Sequence, residues 1–104
     1  MEKTIVIKEV LGSKTADDNQ KGKIIFDKIK ELADQNACGK IILDFRGIEL
    51  VNTAFLNDAI GRLYDGNQFD RSRHPVLIAN MDPEAKDLVK ESIIVAKEKF
   101  AIKA

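Results

Sequence analysis

The sequence predicts a small α/β domain of order βαβαβα, a mostly parallel sheet flanked by helices. Three observations carry this reading. Apolar runs at residues 4–10, 41–45 and 76–79 have strand length and strand composition. Helical apolar spacing follows each of them. Residues suited to helix starts stand between, at Asp17 or Asp18, at Asn52 and at Asp82-Pro83.

The first run contains Ile5, Val6, Ile7, Val10 and Leu11 and predicts a strand over residues 4–10, stopped by Gly12-Ser13. The polar stretch up to Gln20 leads into a helix carrying Ile25, Phe26, Ile29, Leu32 and Ala33, with Gly39 as its terminator. Ile41, Ile42, Leu43 and Phe45 are nearly continuous, as in a strand covered on both faces. After a turn at Gly47, Asn52 caps a helix whose stripe is Phe55, Leu56, Ala59, Ile60, Leu63 and Tyr64, ending at Gly66. Pro75 opens the third strand, and Asp82-Pro83 opens the last helix, with Ala85, Leu88, Val89, Ile93, Ala96 and Phe100 on its apolar face. The β-branched run 93–95 has a fourth short strand as its alternative. The expected core is Ile5, Ile7, Ile42, Leu43, Leu77 and Ile78 from strands, with Phe55, Leu56, Ile60, Leu63 and Leu88 from helices.

A chain of 104 residues fits one domain, residues 1–104. A domain of this size buries only a little over ~60% of its unfolded surface. A three-stranded sheet also leaves edges to be paired by another chain or hidden by residues 12–19. Both points lead us to expect a weak or obligate homodimer. Seventeen basic and seventeen acidic residues cancel, which argues against a nucleic-acid or membrane-surface partner. The N-terminal residues lack a signal-peptide core and no run is long enough to span a bilayer. A cytoplasmic location is the expectation.

Candidate chemistry is sparse. Asp44 ends the presumed central strand, where open α/β sheets bind ligands. A carboxylate there equally serves the following turn by accepting N–H groups. His74, the sole histidine, has no nucleophile or orienting partner in the sequence and reads as a loop residue. Cys38 lacks a second cysteine, so neither an internal disulfide nor a multi-cysteine metal site is available. Arg71, Arg73, Lys86 and Lys90 are interspersed with Asp65, Asp70 and Asp82 and read as a mixed, solvated surface. Residues 12–15, Gly-Ser-Lys-Thr, echo the end of a phosphate loop without its upstream glycines. No catalytic or metal motif emerges, and the chain is expected to be non-enzymatic, without cofactor or metal.

The most informative residues are 42–63. Leu43-Asp44-Phe45, the apolar step Ile48-Glu49-Leu50-Val51, and a helix with Leu56, Ala59, Ile60, Gly61 and Arg62 together resemble the STAS domain. That family includes bacterial anti-sigma-factor antagonists and the cytoplasmic ends of sulphate transporters. The family's Asp-Ser-Ser-Gly falls on Asn52-Thr53-Ala54-Phe55. The whole chain more closely resembles a short STAS-like family of unknown function, in which the strand leads to Ala-Phe or Ser-Phe.

The resemblance implies a regulatory protein partner; in the antagonists that partner is an ATP-binding kinase, which phosphorylates the motif's second serine. Ala54 stands at that position and has no hydroxyl. Thr53 keeps one a position early, turned by roughly 100° on a helix, and Asn52 replaces the aspartate. Docking without a phospho-serine switch is therefore the leading expectation. Its surface is the helix starting at Asn52, with Thr53, Ala54, Asn57, Asp58 and Arg62, and Asp44 nearby. The alternative is a small-ligand or nucleotide sensor holding its ligand near Asp44, Asn52 and Thr53.

Overall fold

The computed structural model describes residues 2–35 and 39–101, so Cys38 lies outside it. The chain runs β1 (Glu2–Val6), α1 (Ile7–Leu11), β2 (Thr15–Ala16), α2 (Asn19–Asp34), β3 (Lys40–Asp44), β4 (Leu50–Val51), α3 (Thr53–Ala59), a 3₁₀ helix (Gly61–Tyr64), β5 (Val76–Ala79) and α4 (Pro83–Ala101). The fold is α/β, with parallel sheets flanked by helices, as the sequence predicts.

The main sheet has the order β1-β3-β5, both pairs parallel, with Ile5 opposite Leu43 and Leu43 opposite Ile78. Side chains alternate across a strand. One face therefore carries Ile5, Ile41 and Leu43, all buried, and joins Ile25, Ile29, Phe55, Leu56 and Val89 in a single core. The other face carries Thr4, Ile42 and Leu77. Ile42 is half-buried and Leu77 is 47% exposed, so the expected burial of these two residues does not hold. Ile78 and Leu88 are also only half-buried. The nearly continuous apolar run of β3 suggested cover on both faces, whereas the core lies on one.

The first strand is shorter than expected. Its pairing with β3 ends at Val6 opposite Asp44, and the chain then turns into α1. Ile7 (0% exposed) and half-buried Leu11 sit four residues apart on one helical face, while Lys8, Glu9 and Val10 are exposed. An apolar run that begins as a strand thus changes period partway along. Gly12, in the left-handed region at φ 63°, ends α1 and returns its N–H to the carbonyl of Lys8.

Within residues 12–19, Thr15 and Ala16 do not add a strand to the main sheet. They instead pair with Leu50 and Val51 as a second, two-stranded parallel sheet. α2 closes at Asp34 with Gln35 as its cap, ahead of Gly39. The helix after Asn52 ends at Ala59 rather than near Gly66, because Ile60 departs from helical geometry (φ −114°) and a 3₁₀ turn follows. Residues 93–95 are helical within α4, where half-buried Ile93 follows Val89 by one turn, while Ile94 and Val95 are exposed.

Candidate functional site

Asn52 begins α3 from an extended conformation (φ −135°, ψ 174°), and its carbonyl accepts the N–H of Leu56. Its side-chain oxygen accepts from the Phe55 N–H at 3.1 Å, satisfying one of the donors that a helix start leaves unpaired. Its side-chain amide donates to the Asp17 carbonyl at 2.8 Å, and its backbone N–H donates to the Ala16 carbonyl at 3.2 Å. The small β2–β4 sheet and the start of α3 are thus tied together through one residue. Lys21 holds the other side of that segment, reaching the Asp17 carboxylate at 3.0 Å and the Thr15 carbonyl at 3.2 Å.

From this anchor Phe55, Leu56 and Ala59 turn inward, each fully buried. Thr53, Ala54 and Asn57 turn outward and are exposed. Asp58 and Arg62 form an ion pair at 3.0 Å, one helical turn apart, with side chains 22% and 37% exposed. The Arg62 guanidinium also lies 5.9 Å from the Phe26 ring. The pair is half-screened by solvent, so it fixes side-chain direction more than it stabilises the fold. Thr53, Ala54, Asn57 and Asp58 fall on the side of α3 away from its buried residues, and Arg62, in the following 3₁₀ turn, joins them through the ion pair with Asp58.

That surface opens into a groove of about 370 Å³ between α3, the 3₁₀ turn and α4, lined by Asn57, Asp58, Arg62, Val95 and Lys99 among others. Ser92 lies at its wall. It is 2% exposed, and its hydroxyl has no hydrogen-bond partner among the described residues. Groups of this kind are nearly always paired in a folded protein. The sequence reading passed over Ser92, since a single serine within an apolar helix carries no distinguishing signal. Gly22 was also missed. A Cβ there would collide with the Phe55 carbonyl and approach the Asp58 Cβ to 2.9 Å, so this glycine sets how closely α2 meets α3.

Asp44 belongs to a separate cluster. Asp44 is 7% exposed, and its carboxylate accepts the Arg46 N–H at 2.9 Å and the Asn80 side-chain amide at 2.9 Å. The Arg46 guanidinium stands 3.6 Å away, largely in solvent. The Asn80 hydrogen bond, followed by that from Arg46 N–H, holds the carboxyl below its ordinary 3.8; burial opposes the shift, and the Arg46 charge adds to it. Asn80 itself adopts φ 58°, a left-handed conformation asparagine tolerates better than most residues. It was not anticipated, although an asparagine directly after an apolar strand is a turn signal.

Beyond this cluster a cavity of about 290 Å³ lies between the 47–51 segment and the start of α4. Its apolar wall includes Phe45, Met81 and Leu88, and its charged lining is Glu49, Asp82 and Glu84. Neither Asn52 nor Thr53 contributes to it. His74, in the loop before β5, is buried with its ring 6.1 Å from that of Phe69. Among the described residues there is no cluster of three potential metal ligands, and no helix is long and apolar enough to cross a membrane.

No curated protein and no solved structure matches the chain. A family model described as a STAS-like domain of unknown function (DUF4325) matches residues 21–86, from the first turns of α2 to the first turn of α4. The match takes in Asp44, the Asn52 cap, all of α3 and the main-sheet strands β3 and β5. With more than half of its length matched, the chain belongs to this STAS-like family.

Proposed function

We propose that the chain is a non-enzymatic regulatory module that docks a protein partner on the outer face of α3 and the adjoining α3–α4 groove. The observation that carries this reading is the unpartnered Ser92 hydroxyl beside the exposed Asn57 and the Asp58–Arg62 pair. A buried hydroxyl without a partner costs about 1–3 kcal/mol. The hydroxyl is shielded in the free chain, so a partner group reaches it only where docking parts the groove wall, and the bond formed then adds orientation to the contact. The Asp58–Arg62 pair supplies a fixed charge pattern at the groove mouth.

Docking is constitutive in this reading. Ala54 offers no phosphate acceptor at the position matching the phosphorylated serine, and Asn52 is fully engaged as cap and tether. An ATP-binding kinase-like protein is the partner class that the family resemblance suggests. The small-ligand alternative draws on the cavity at the strand ends. Its carboxylate lining from Glu49, Asp82 and Glu84 disfavours a nucleotide or any other anion there.

The test uses the untagged protein isolated with whatever binds it, followed by titration of the recovered partner against variants. Asn57→Arg, at an exposed position, should weaken binding at least tenfold with no loss of thermal stability. Unchanged affinity would remove this surface from the docking site.

A further inference from the structure

A second surface, on the opposite flank of α4, has the attributes of a strand-addition site. β5 is an edge strand of the main sheet. The carbonyls of Pro75 and Ala79 turn inward and accept from the N–H groups of Ile41 and Phe45 at 2.9 and 3.0 Å. Alternate residues of a parallel pair bond toward the same side. The N–H and C=O groups of Val76 and Ile78 therefore face away from β3, and no strand of the described residues lies beyond them. β5 reads Val-Leu-Ile-Ala and carries none of the charges with which exposed edges are commonly protected.

Directly beside this edge is an apolar groove of about 200 Å³. Ile60 and Leu63 form its buried floor, and Val76, Ile78 and Ile93 are half-buried in its walls. A strand added to β5 would place every second side chain on the face that carries Val76 and Ile78, over this groove.

The rim selects the occupant. Arg71 lies 3.9 Å from the centre of the Tyr64 ring, and the Lys97 ammonium lies 5.9 Å from the same ring. Lys86, Lys90 and Lys97 share a helical stripe with Ile93, at offsets of −7, −3 and +4, and all three are exposed. The acidic residues Asp87, Glu91 and Glu98 follow the neighbouring stripe through Ile94, about 100° further round the helix. No carboxylate of the described residues lines the groove. A second copy paired edge to edge would bring two such basic rims together, which charge repulsion opposes.

We propose that the β5 edge binds an extended, acidic segment of a partner protein by strand addition, with alternate apolar side chains in the Ile60–Leu63 groove and carboxylates on Arg71 and the α4 lysines. The test uses the full chain labelled with ¹⁵N and a synthetic probe, a blocked heptapeptide alternating Glu and Val, with a Lys-for-Glu version as comparison. The Glu peptide should bind with a dissociation constant at or below about 1 mM, shift and protect the Val76 and Ile78 amides, and bind more weakly as salt is raised. Arg71→Glu combined with Lys97→Glu, both exposed, should weaken binding at least tenfold, and Lys97→Glu alone should weaken it measurably in a chain that folds normally. The proposal is overturned if the Val76 and Ile78 amides do not respond, or if the Lys peptide binds as well as the Glu peptide. It is also overturned if the free protein protects these amides in a concentration-dependent way, since a second copy would then occupy the edge. None of these outcomes depends on Asn57 or Ser92, so this surface and the α3–α4 groove are tested separately.

Discussion

Asn52 and Asp17, thirty-five residues apart, are joined by a 2.8 Å hydrogen bond from the Asn52 side-chain amide to the Asp17 carbonyl. The same side chain caps α3 through the Phe55 N–H. A helix cap alone contributes about 0.5–2 kcal/mol, and the second bond places Asn52→Ala toward the upper end of that range. Asn52→Asp separates the two roles, because it keeps the capping oxygen and loses the donor to Asp17. Its stability, measured by urea unfolding, should fall between wild type and Asn52→Ala. Equal losses in the two variants would show that the Asp17 contact, and not the cap, carries the effect.

Gly22→Ala should be destabilising although alanine is the better helix former. Propensity favours the change by roughly 1 kcal/mol. The added methyl, however, meets the backbone carbonyl of Phe55, which cannot swing aside as a side chain can. Overpacking of this kind costs about 1–3 kcal/mol, so a net loss with shifted α3 amide resonances is expected. A gain in stability would show that α2 and α3 can separate freely.

Leu43, fully buried in the central strand of the main sheet, should lose about 2–5 kcal/mol on truncation to alanine. Leu77→Ala, in the neighbouring strand but 47% exposed, should lose much less. The contrast between the two leucines measures the one-sidedness of the core by denaturant unfolding. Similar losses would mean that both faces of the sheet are covered.

The Asp44 carboxyl has a folded-state pKa below its ordinary 3.8. Its contribution to stability is therefore complete above that value and is lost as pH falls through the folded pKa. Asn80→Gly removes the largest cause of the shift while accommodating the left-handed backbone. The stability gap between wild type and Asn80→Gly should be constant near neutral pH and narrow as acid protonates Asp44. A gap that stays unchanged down to acid unfolding would contradict the assigned hydrogen bond.

Element types were mostly legible in the sequence because long amphipathic stretches and paired boundary signals agree, as at Asp82-Pro83 and Asn52. Boundaries were less so where one apolar run serves two periods. Residues 4–11 change from strand to helix at Ile7, and only the limit of pairing with β3 decides where. The Thr15–Ala16 strand was invisible, since two residues carry no periodicity and their partner is Leu50–Val51, far along the chain. The outward residues of α3 were legible from their spacing beyond Asn52. Ser92, Gly22 and Asn80 were not, because each acts through a contact across the fold rather than through its sequence neighbours.

Ser92→Ala gives the most direct test of the docking groove. Replacing a buried hydroxyl that has no partner by a methyl-sized group should leave the fold as stable as wild type or more so. If a partner satisfies that hydroxyl in the complex, the same change should weaken the purified partner's binding several-fold, and Ser92→Thr, which restores the hydroxyl, should recover part of it. We expect the thermal midpoint and the affinity to move in opposite directions. A Ser92→Ala protein that binds its partner as tightly as wild type would contradict docking at the α3–α4 groove.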